Sequence, residues 1–197
     1  MADPPAPLTI SQKITTFVES KMGQKVGAGE CWDLGEAALK QAGAQTSTDL
    51  SPTGSVGPDD DYTWGDPIDI KDIQPGDIIQ FRDYVVTTQT DVDVVFPDGS
   101  NQTKTNTATA KRGHHTAIAN GKIDADGNLK TYEQHVQPAG EVVQNKKLAT
   151  RGVDPKVTTT TERRTNPYNG KVETAKVTTT VTVTTTGQYW VYRPKPK

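Results

Sequence analysis

The sequence predicts an α+β fold in which N-terminal helices pack on an antiparallel sheet. Its helix-period segments all end by residue 43, its strand-like segments begin after residue 76, and nothing alternates strand with helix as a parallel sheet would require. A hydrophobic fraction of 32% with abundant Thr points the same way, toward strands with polar, solvated faces.

Taken in order, residues 1–10 are Pro-rich and read as a flexible N-terminus, and 11–197 read as one domain. Ile14, Phe17, Val18 and Met22 recur at helical spacing, with Ser11 as the expected N-cap and Gly23 as the stop. Gly27-Ala28-Gly29 makes a tight turn into a second helix from Cys31 to Gln41, which carries Leu34, Ala38, Leu39 and Ala42 on one side and ends at Gly43. Residues 45–67 hold Gly, Pro, Asp and Ser without periodicity and read as loop. Strands are expected at 77–82, 116–120, 129–136 and 188–193. Two Thr-rich hairpin insertions extend this core, at about 83–111 with a turn at Pro97-Asp98-Gly99, and at about 155–186 with a turn at Asn166–Gly170.

Composition excludes several classes. The net charge is −2 and no run of Lys or Arg forms a basic stripe, so neither nucleic acid nor an anionic membrane is an expected partner. No stretch approaches about 18 apolar residues, so no membrane insertion is expected. The first residues lack the charged and apolar regions of a signal peptide, which reads as cytoplasmic; a mature secreted domain begun by an added Met is the alternative. One cysteine rules out an internal disulfide and is unusual outside a reducing compartment unless it reacts. The chain is read as a monomer without cofactors, although exposed hairpin edges would allow a strand-paired dimer.

Chemistry concentrates at a few positions. Cys31 sits in the first turn of its helix, where unpaired N–H groups and the positive end of the macrodipole stabilise a thiolate. All three histidines fall at 114, 115 and 135. His115 opens the strand Thr116-Ala-Ile-Ala, and strand alternation would put Glu133 and His135 on one face with Gln134 on the other. Paired strands would then let a carboxylate hold the His115 imidazole in its useful tautomer. No metal site is expected, because adjacent His114 and His115 point to opposite faces and no Cys/His pair has ligand spacing. Asp77 reads as a turn cap, Trp32 and Trp64 as core or cleft-wall aromatics.

Five short motifs then occur in one order: Gly29-Glu-Cys-Trp-Asp-Leu34, Tyr62-Thr-Trp-Gly65, Gln74-Pro-Gly-Asp-Ile-Ile-Gln-Phe81, His114-His-Thr-Ala-Ile118 and Tyr132-Glu-Gln-His135. This wording resembles the NlpC/P60 and CHAP superfamily of papain-like cysteine hydrolases, over roughly residues 11–136 and the closing strand to Pro194. The resemblance implies a papain-like fold, Cys31 as nucleophile, His115 as general base, and Glu133 or His135 as the third member. It also implies Gln24 as an oxyanion donor, though seven residues before Cys31 and in unlike flanks. The implied function is cleavage of amide or peptide bonds, with peptidoglycan peptides as the family's usual substrate. The same motifs are similar to the CHAP-like domain of fungal myosin-I-binding actin-patch proteins, which implies the alternative of an intracellular peptide-binding or scaffold module with little or no catalysis.

Overall fold

The computed structural model describes residues 6–137 and 140–197. Two helices, α1 (Ile10–Ser20) and α2 (Cys31–Ala42), open the chain, followed by a single helical turn, α3 (Ser47–Leu50). Seven strands follow: β1 (Asp66–Ile68), β2 (Ile78–Val95), β3 (Asn101–Ala119), β4 (Asn128–Glu133), β5 (Gln144–Ala149), β6 (Val153–Thr165) and β7 (Val172–Arg193). They form one antiparallel sheet in the order β1-β7-β2-β3-β4-β5, with β6 also hydrogen-bonded to β7. The α+β class is therefore as the sequence predicts. Among the described residues no helix is long and apolar enough to cross a membrane.

The helix ends show which local signals decided them. Thr9, rather than Ser11, caps α1: the Gln12 N–H donates to Thr9 Oγ1 at 3.2 Å, and Gln12 Oε1 accepts from the Thr9 N–H at 2.9 Å. This reciprocal pair satisfies two donors that the helix leaves open. Ser11 instead donates to the Pro75 carbonyl. Of the N-terminal stretch read as flexible, residues 1–5 lie outside the described residues. α2 begins at Cys31 and ends at Gly43, which takes the left-handed conformation (φ 71°) that a Cβ disfavours. The segment read wholly as loop contains α3, stabilised by a capping box between Thr46 and Asp49, and the edge strand β1.

Alternation along the central strands sorts their side chains onto two buried faces. Ile78, Ile118 and Tyr132 point toward the helices and pack with Ile14, Val18, Leu34, Ala38 and Leu39. Their neighbours Ile79, Phe81, Ala117 and Ala119 point to the other face, against Ile73, Leu129, Leu148 and Val191. A sheet covered on both sides reads as a continuous apolar run, and Ile78-Ile79-Gln80-Phe81 is wholly buried. Asp77 is buried at the start of this run, accepting from the Gln74 N–H and from the Arg193 guanidinium.

Strands β2, β3 and β7 do not stop at the core. Beyond Arg82 they run on together with β6 as a four-stranded arm, turning at residues 97–100 and 166–170. The transition is a bulge between Arg82 and Val85, where Asp83 has φ 51° and Gly187 has φ 83°. A Cβ at Gly187 would stand 2.1 Å from the Asp83 carbonyl oxygen, so only glycine allows that approach.

Candidate active site

Two elements carry the reactive groups, and their meeting is set by packing. Gly35, one turn beyond Cys31, lies against the Trp64 ring; a Cβ there would be 2.9 Å from Trp64 Cη2 and 3.5 Å from Thr116 Cγ2. Trp64 is fully buried and its indole N–H donates to Gln80 Oε1, which also accepts from Thr116 Oγ1 at 2.8 Å. This brings α2 down onto β3 next to His115, the residue before Thr116.

The approach to Cys31 is held as firmly. Fully buried Gln134 donates from Nε2 to the carbonyls of Val26 (2.9 Å) and Glu30 (2.8 Å) and accepts the Val26 N–H at 2.8 Å. Its amide thus clamps both ends of the Gly27–Gly29 turn. The Glu30 N–H, at the helix entry, donates to Asp33 Oδ2.

His115 stands opposite Phe81 in the β2–β3 ladder and is 5% exposed. Its Nε2 lies 3.1 Å from Glu133 Oε2, and Cys31 is its other charged neighbour. Glu133 is the last residue of β4, fully buried, and accepts from Arg112 Nε at 2.6 Å and from Thr131 Oγ1 at 2.5 Å. Buried Arg112 was not anticipated: it lies in a polar strand among exposed residues, and only the tertiary pairing reveals its role.

Electrostatics follow this chain of contacts. Burial pushes the Cys31 thiol up, but the hydrogen bond and charge of His115, with backbone hydrogen bonds from Thr116 and Trp32, outweigh it and hold the thiol below its ordinary pKa. Burial opposes the imidazolium of His115, yet its hydrogen bonds to Cys31 and Glu133 and their charges raise its pKa. Burial likewise opposes the Glu133 carboxylate, and the His115 and Arg112 contacts overcome it, keeping the carboxyl well below the usual range. The three shifts run the same way, each toward the charged form of its group.

Two expected site residues stand elsewhere. Strand β4 ends at Glu133, and His135 has φ 62°, so the alternation that would align 133 with 135 fails at the turn. His135 is exposed and its Nδ1 pairs with Glu30 at 2.8 Å, leaving Glu133 as the group that contacts His115. Gln24 is also exposed; it follows α1 and turns its amide back onto the Ser20 carbonyl, so it does not line the cleft at Cys31. The N–H groups in the first turn of α2 are the donors the fold offers an oxyanion instead.

Cys31 opens onto a cleft of about 520 Å³ whose walls include Trp32, Val56, Pro58 and Tyr62. The loop on its far side is anchored by Arg82 to Asp61 and to the Asp59 carbonyl, while the His114 Nε2 lies 2.6 Å from the Asp60 carbonyl. Burial, with the charges of Cys31 and the loop aspartates, raises the Tyr62 phenol to about 12, so it keeps its proton. Among the described residues no group of three or more His, Cys, Asp or Glu is placed to hold a metal ion.

Comparison with known proteins agrees with this architecture. A family model described as the AIM3/BBC1 cysteine proteinase-fold domain matches residues 6–197. No match is found among curated proteins or among solved structures.

Proposed function

We propose, for a chain that belongs to the AIM3/BBC1 cysteine proteinase-fold family, that it hydrolyses a peptide or amide bond with Cys31 as nucleophile, His115 as acid and base, and Glu133 as the residue that orients His115. The observation that carries the reading is Cys31 beside buried His115, itself paired with buried Glu133, with the sulfur on a cleft at a helix N-terminus. The Cys31 thiolate attacks the carbonyl carbon, and the oxyanion is held by N–H groups of the first turn of α2. The His115 imidazolium gives its proton to the leaving nitrogen as the C–N bond breaks and a thioester forms. Neutral His115 then takes a proton from water, hydroxide attacks the thioester, and the acid product departs as the thiolate is restored. Glu133 holds the His115 ring in place throughout.

Peptidoglycan peptides enter as one candidate substrate among amide-bonded peptides, without preference from the site. A second reading, a peptide-binding module with little turnover, is favoured by the arm, whose long polar strand edges serve no step of the reaction.

Alkylation of Cys31 against pH tests the proposal. The rate is expected to stay high well below the ordinary thiol pKa of about 8.5, and to follow an ordinary thiol profile in His115→Ala. An ordinary profile in the unaltered protein, with full hydrolytic activity retained by Cys31→Ala, overturns it.

A further inference from the structure

The sheet parts beside the site. β3 and β4 pair only at Ile118–Tyr132 and Ala119–Thr131, while β4 stays hydrogen-bonded to β5 along its length. Before Ile118 the two strands diverge, and a second cleft of about 540 Å³ opens between β3 and β5. Lys111, Arg112, His114, His135, Lys146 and Lys147 line it, and among its described lining residues there is no carboxylate. Some of this lining is already matched: Arg112 by Glu133 beneath it, Lys147 by Asp124, and His135 by Glu30. Lys111 and Lys146 have no carboxylate partner among the described residues, and Lys146 Nζ donates to the Gln137 carbonyl. Such a concentration in a chain of net charge −2 is local to this cleft.

The cleft at Cys31 has the opposite character: aromatic and aliphatic walls with Glu30 and Asp33 at its rim. Cys31 lines one cleft, His115 lines the other, and His114 lines both. A single extended chain laid across the reactive pair therefore passes from one to the other.

We infer that the site takes a peptide with acidic residues in the β3–β5 cleft and an apolar residue in the cleft beside Cys31. The inference rests on the peptide reading above and supplies its substrate class. Attraction to Lys111 and Lys146 draws carboxylates to one side, and Asp33 with the apolar walls disfavours them on the other, so charge sets the register of the chain on the sulfur. The β3 edge facing the cleft pairs with no strand over residues 101–117 among the described residues, and offers its main-chain groups to an extended partner.

The test uses the full chain carrying Cys31→Ala and fluorescent peptides with one aromatic residue followed by Asp and Glu, against controls with Asn and Gln in their place. Fluorescence anisotropy is expected to show about tenfold tighter binding of the acidic peptide, roughly the yield of one well-placed charge pair. Lys111→Glu with Lys146→Glu, both on the surface, is expected to abolish that preference and to favour a Lys-containing peptide. Equal binding of acidic and amide peptides overturns the inference. Equally tight binding of a single-stranded oligonucleotide of matched charge overturns it too, by assigning the cleft to phosphates. Alkylation of Cys31 separates the two readings: low-pH reactivity without acidic preference defeats only this inference. Acidic preference with an ordinary thiol profile defeats hydrolysis and leaves the peptide site standing.

Discussion

The same three strands, β2, β3 and β7, build two regions of opposite physical character. Between Ile78 and Arg82 on β2, four consecutive residues are buried and sandwiched between apolar layers. Past the bulge at Asp83, the same strand belongs to the arm, where Tyr84, Val86 and Val94 are buried and the Thr, Gln and Asp residues between them are partly or fully open to water. The core is held by burial, at about 25 cal/mol per Å² of apolar surface. The arm is held by ladders, cross-strand pairs such as Thr103–Asp93 and Thr105–Asp91, and a cap at its tip. That cap is a small cluster of Val94, Phe96, Ala175 and Val177 beside fully buried Asn166, which donates to Asp98, Ser100 and Glu173. The reactive row lies on the core side of the boundary, where low polarity sharpens every charge. The cleft proposed to take acidic residues lies where β3 crosses from core to arm.

The contrast can be attacked at three points of decreasing effect. Glu133→Ala strikes the core hardest: it strands Arg112 without a counter-charge, and loss of one partner from a buried pair costs about 3–5 kcal/mol, read by urea unfolding at neutral pH. The linked pH effect has a definite sign. Because the folded Glu133 carboxyl is held below the pKa of a free glutamate, about 4.3, its stabilisation is complete above that value and drains away as pH falls toward the folded one. Glu133→Gln is expected to lose that acid-side slope. Asn166→Ala acts on the arm alone: removing the tip's buried donor costs about 1–2 kcal/mol, expected as faster hydrogen exchange over 94–102 and 166–177 with Cys31 alkylation unchanged. Thr158→Ala, on the exposed edge strand β6, is expected to move the urea midpoint by less than about 0.5 kcal/mol. A large effect there would mean that the arm is not the solvated extension it resembles.

Sequence reading reached much of this where the signal was local. Gly29 and Gly43 bracket α2 because turn and cap conformations demand glycine, and the His-Thr-Ala-Ile strand marks itself by abrupt apolarity after a polar run. Glu133 was legible as one of two orienters, but choosing between Glu133 and His135 required knowing that β4 ends before 135. Arg112 and Gln134 stayed hidden for one reason: each is a polar residue whose burial depends on partners more than 20 residues away in the chain. The start of α1 was missed because Thr9 and Gln12 cap it together, a pairing visible only to someone looking two residues earlier.

Gly35 shows how much can hang on the absence of a side chain. The helix bearing the sulfur rests within a methyl group's breadth of the Trp64 ring, and that ring is pinned through its indole nitrogen. Adding a methyl leaves Cys31, His115 and their surroundings chemically intact, yet at 2.9 Å from a buried, hydrogen-bonded ring something must shift. A residue with no functional group thereby sets how closely the sulfur-bearing helix lies on the sheet, as a spacer sets the focus of a lens.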